Sequence, residues 1–176
     1  MNGLARFFVK RCLALLPAVA VVFYVGCAGP ENLGQGSKIA VPRPISLTLP
    51  KQIAIHPFTG IRLFDESGGI KGVDVRIQAL DASGDSTKAF GDFRFELYVF
   101  RPNSLDPRGE RLAVWEVPVA DPKINSLHWD NITRAYKFKL QWEQPIPVGK
   151  QYVLAAVFSS AFTERLMAQR VFVAGQ

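Results

Sequence analysis

From residue 72 to residue 80 the chain reads GVDVRIQAL, and from Val73 to Ala79 apolar and polar residues alternate without a break. Val73, Val75, Ile77 and Ala79 fall on one side of an extended backbone, and Asp74, Arg76 and Gln78 on the other. Successive side chains of a strand point to opposite faces, so this is a strand with one face in a core and the other in water. A helix would bury residues three and four apart, and no stretch of the chain sustains that spacing.

The same period continues downstream. DASGDSTKAFGD, residues 81–92, reads as a turn-rich connection. In FRFELYVF, residues 93–100, Phe93, Phe95, Leu97 and Val99 alternate with Arg94, Glu96, Tyr98 and Phe100; bulk on both faces predicts a central strand. RPNSLDPRGE is expected as a loop, RLAVWEVPV as a strand closed by Pro118, and DPKINSLHWDN, residues 121–131, as a further loop. Tyr136, Phe138 and Leu140 alternate with Lys137 and Lys139. QPIPVG turns the chain into QYVLAAVF, an apolar strand expected in the interior, and RLMAQRVFVA closes the fold. Before residue 71, ISLTL and QIAIHPF supply one or two more strands. The expected fold is all-β, an antiparallel sandwich of about seven or eight strands.

The amino terminus is of another kind. Arg6, Lys10 and Arg11 precede an uncharged run from Cys12 to Gly29, CLALLPAVAVVFYVGCAG. A basic start, an apolar middle and small residues near the end are the layout of a secretory signal. Pro17 interrupts any continuous helix, and the run is slightly short of the ~20 residues that span a bilayer. Tyr24-Val25-Gly26-Cys27 resembles a bacterial lipobox, although Tyr24 departs from its usual Leu, Val or Ile. The resemblance implies cleavage before Cys27, acylation of that cysteine and a mature protein held on a membrane; Ala28, not being Asp, implies the outer membrane. Residues 1–26 are then a signal peptide, 27–44 the acylated cysteine and a flexible tether rich in Gly and Pro, and 45–176 the sandwich domain. GVDVRIQALDASGD followed by FRFELYVF, and PIPVGKQYVLAAVF later, resemble the early strands and the late hairpin of immunoglobulin-like or prealbumin-like modules. Tail and sandwich together resemble bacterial lipoproteins, a likeness that brings no activity with it.

Cleavage before Cys27 removes three basic residues and leaves 18 basic against 15 acidic ones. So small an excess, spread along the chain, does not suit nucleic-acid binding, which needs a clustered basic face. The candidates for chemistry are few. Asp81, Ser83, Asp85 and Asp92 take positions 1, 3, 5 and 12 of a register suited to calcium, but the glycine is Gly84 at position 4, and strands flank the loop. An Asp-rich turn bonding its own backbone is the competing reading. His56 and His128 are the only histidines, too few for an ordinary zinc site. His128 and Asp130 with Ser159 or Ser160 would suit a hydrolytic triad, but no nucleophile elbow is present. Trp129, beside His128 and Asp130 in an expected loop, is the aromatic best placed to stack on a sugar or dock a protein; Trp115 and Trp142 are expected in the core.

The sequence thus leads to a lipid-anchored cell-envelope protein, on the periplasmic face of the outer membrane or at the cell surface. Its expected role is a non-catalytic binding or structural module without a cofactor. Its partners would be the membrane, through Cys27, and an envelope protein or cell-wall polymer. A small envelope hydrolase around His128 and Asp130, or a carbohydrate-binding module using Trp129, are the alternatives.

Overall fold

The computed structural model describes residues 38–65 and 70–175. Residues 1–37, which take in the expected signal segment, Cys27 and the first part of the expected tether, lie outside the described residues. After a one-turn helix α1 (Arg43–Ser46), the strands are β1 (Gln52–Ile55), β2 (Gly60–Leu63), β3 (Lys71–Leu80), β4 (Asp92–Phe100) and β5 (Arg108–Pro118). Helix α2 (Pro122–His128) follows, then β6 (Trp129–Asp130), β7 (Ala135–Gln141), β8 (Gln151–Ser159) and β9 (Leu166–Val173).

Two antiparallel sheets form a sandwich. One has the order β1-β3-β7-β6, with β2 also paired to β3. Because β7 takes Gly72–Ile77 of β3 while β1 takes 77–80 and β2 takes 71–74, β1 and β2 lie end to end along the other side of β3. The other sheet has the order β5-β4-β8-β9. The central places of β4 and β8 match the sequence expectation. β5 is an edge strand, and its register against β4 shifts on both sides of Tyr98. The shift breaks the alternation at Val99, which is half-buried instead of following Leu97 into the core.

Alternation puts one face of each sheet inside. Val73, Val75, Ile77 and Ala79 of β3 meet Phe93, Phe95 and Leu97 of β4 in one continuous core. Phe93 is the hub: its ring centroid lies 4.9 Å from Phe158, 5.3 Å from Phe138, 5.7 Å from Tyr136 and 5.8 Å from Phe95. Such tilted and offset rings add to the burial of area itself.

Three expectations are corrected. ISLTL forms no strand: the backbone behind Pro42 makes a single helical turn and then bends, and of the two stretches expected before residue 71 QIAI alone becomes a strand, paired with β3. Residues 122–128 are a helix rather than loop, because Asp121 Oδ1 accepts from Lys123 N–H (2.8 Å) and Ile124 N–H (3.0 Å) and Pro122 stands at the first helical position. β5 begins at Arg108, inside the stretch expected as loop, and the short β2 and β6 bring the described strands to nine.

Candidate functional site

The corner that carries Trp129 is built around a buried amide. Asn125 of α2 is 1% exposed; its Nδ2 donates to Ala89 O (2.6 Å) and Val119 O (2.8 Å). Tyr136 Oη lies 3.0 Å from Asn125 Oδ1 and accepts from Ala89 N–H at 2.8 Å. Burial pushes the Tyr136 hydroxyl up from its ordinary value. These bonds fix α2 against the end of the sandwich, and α2 delivers His128, Trp129 and Asp130 together.

All three half-buried side chains have partners there. His128 Nδ1–H donates to Lys137 O (3.0 Å), and the ring lies 4.8 Å from Phe138. Trp129 meets Tyr136 edge-on at 5.0 Å, and Lys88 Nζ stands 5.8 Å over its ring. Asp130 pairs with Lys137, and its Oδ1 accepts from Ile132 N–H at 2.9 Å. Lys137 first, and then Ile132 N–H, holds the Asp130 carboxyl well below the usual carboxylate range. Asp130 therefore serves Lys137 rather than His128. Ser160 Oγ–H, one of the two serines weighed from the sequence, donates to Phe90 O at 2.8 Å rather than to His128.

The calcium register is likewise occupied by its own backbone. Asp81 Oδ1 accepts from Ser83 N–H (2.8 Å) and Asp85 N–H (3.1 Å), while Asp92 opens β4. Among the described residues, no three His, Cys, Asp or Glu side chains gather as a metal site. Of the other tryptophans, Trp142 is buried against Tyr152, and Trp115 Nε1–H spans the two sheets to Gln141 O at 2.9 Å. A cleft of about 210 Å³ opens at the Gln151 end of β8, between Ile61, Leu63, Ile146 and Val148, with Arg62 and Lys71 in its wall.

The outer face of the four-stranded sheet is more organised than any of these. Register sets its residues in rows. Glu116, Arg94, Val157 and Met167 stand abreast; Val114, Glu96, Ala155 and Gln169 form the next row; Arg111, Tyr98, Val153 and Val171 the third. On the β4–β5 half, Arg94 Nε–H donates to Glu96 Oε1 (2.8 Å) and Arg94 Nη1–H to Glu116 Oε1 (2.7 Å). Tyr98 Oη–H donates to Glu96 Oε2, and Arg111 Nη1 lies 3.7 Å from Glu96 Oε1. The Tyr98 hydrogen bond, reinforced by Arg94 and Arg111, holds Glu96 below its ordinary value against opposing burial. Burial first, and Glu96 second, push the Tyr98 hydroxyl up.

The β8–β9 half is apolar apart from Gln169. Val153 and Ala155 are buried although they stand outside the core cluster, and beside them Met167 is 73% and Val171 39% exposed. Arg94, Glu96 and Tyr98 were readable as an outward set from their alternate spacing. The row that joins them to Val153 and Met167 was not, because it depends on which strands become neighbours. No protein-family model, curated protein or solved structure matches this chain.

Proposed function

We propose that the chain is a lipid-anchored, non-catalytic binding module of a bacterial cell envelope, moored through Cys27 and receiving an envelope protein on the outer face of its four-stranded sheet. The observation that carries the reading is the division of that face. A fixed set of charged and hydroxyl groups on β4 and β5 borders a largely apolar strip on β8 and β9 whose exposed members are Met167 and Val171. Apolar contacts at the centre of an interface supply most of its stabilisation, and a preset charge pattern selects partner and orientation. Arg94, held by two carboxylates, loses little side-chain freedom when a partner arrives. The anchor rests on the basic start, the apolar run and the YVGC sequence.

A photo-reactive phenylalanine analogue placed at Met167 or Val114 tests the surface, with Val148 at the far end of the sandwich as control. In intact envelopes the first two positions should capture the same protein and Val148 should not. Adducts from Val148 alone, or none from the face, overturn the reading. Intact-mass analysis tests the anchor: an amino-terminal acylated Cys27 is expected, and a chain without fatty acids refutes it.

A further inference from the structure

Exposed apolar side chains gather at the pole of the sandwich where the described chain begins. Ile39, Leu47, Phe90 and Phe162 are 54%, 63%, 41% and 42% exposed. Hydrogen bonds tie their segments together. Ile39 N–H donates to Ala161 O (2.9 Å), Ser160 Oγ–H to Phe90 O (2.8 Å) and Thr87 Oγ1–H to Thr48 O (2.7 Å). Phe162 N–H closes onto Ser160 Oγ at 3.1 Å. Lys38 reaches Glu164 at 3.8 Å, and Arg43 and Arg165 belong to the same segments. Exposed apolar residues scattered singly are ordinary; four of them on three linked segments of one pole, among long basic side chains, form a patch.

We propose that this pole seats in the bilayer surface that holds the acyl chains, with Ile39, Leu47, Phe90 and Phe162 at headgroup level. The inference rests on the anchor reading above. Lys38 follows Cys27 by eleven residues. That length reaches at most ~40 Å extended and roughly 17–20 Å as a coil, against a body of about 140 residues with a radius of gyration of ~14 Å. That radius corresponds to a diameter of roughly 36 Å, so the relaxed tether is about half as long as the body is wide and keeps the pole it joins next to the membrane. Apolar side chains then leave water at the interface, while Lys and Arg stems lie along it and present their charges to lipid phosphates. The opposite pole, with the cleft at Val148, faces away, and the outer face of the four-stranded sheet stands roughly upright beside the membrane.

The test is hydroxyl-radical footprinting of the mature protein, purified from its own membrane, in vesicles of phosphatidylethanolamine and phosphatidylglycerol (3:1). The internal reference is Leu63 and Val148, exposed apolar residues of the far pole. Relative to them, labelling of Ile39, Leu47, Phe90 and Phe162 should fall at least threefold. Replacing Phe90→Asp and Phe162→Asp together should restore labelling of Ile39 and Leu47 in a protein with an unchanged circular-dichroism spectrum. An acylated protein labelled equally at both poles overturns the inference and leaves the anchor standing. A chain that carries no fatty acid, yet sediments with vesicles and protects the same four residues, upholds the pole and removes the anchor. One that neither carries fatty acid nor sediments defeats both.

Discussion

Between β1 and β2 the backbone leaves the ladder, and Pro57 has no N–H to offer. Thr59 fills the gap. Its Oγ1 accepts from Arg76 N–H at 3.0 Å in a site only 4% exposed, while His56 N–H takes Arg76 O at 2.8 Å. Thr59→Val keeps the shape but deprives a buried N–H of its acceptor, so it should cost about 1–3 kcal/mol, whereas Thr59→Ser should retain most of the stability. Urea unfolding of the three proteins checks this; equal midpoints for Thr and Val would refute it. Nothing near Thr59 in the sequence announces the role, because its partner lies seventeen positions downstream and is set by the pairing of β2 with β3. The backbone of Trp129, expected in a loop, shows the same limit. It stands in a sequence rich in turn formers, yet Asn125 and Tyr136 draw it into a short strand against the core.

Among the elements, β3, β4 and β8 were legible for a simple reason: each is long, and its side chains alone report how many faces are covered. β2 was not, since four residues carry too little pattern to stand out. ISLTL misled because Ile45, Leu47 and Leu49 alternate, while an alternation without a neighbouring strand makes no sheet. Helix α2 had a readable start in Asp121-Pro122, but its seven residues bury only Asn125, so no apolar stripe marked it. That start is testable. Asp121→Ala removes the acceptor of two first-turn N–H groups and should cost about 1 kcal/mol, seen as a lower thermal midpoint, with Asp121→Asn close to the native protein. Gly91 marks another limit. A Cβ there would come within 2.2 Å of Ser159 O, a constraint of the packed sheet that the FGD sequence does not display.

At the scale of the whole molecule, the sandwich follows from period-two patterning, but the division of its outer face follows from strand order, which the pattern leaves open. The core also sets a response to pH. Burial pushes the hydroxyls of Tyr136 and Tyr152 above their ordinary value of 10.0. Their raised values mean that the unfolded chain ionises first. Stability from this source is complete below about pH 10 and is lost as pH rises through the folded values. Tyr152→Phe should shrink the alkaline loss of stability while changing little at pH 7, as denaturant titrations at a series of pH values would show; an unchanged alkaline limb would contradict it. The edge strand β5 has a different consequence. Arg108, Glu110, Arg111 and Glu116 line it, Pro118 ends it, and its register slips beside Tyr98. A strand so charged and twisted makes a poor template for another strand. On the membrane proposed above, copies would meet far more often than in bulk solution, and such an edge would let them jostle without zipping into fibres.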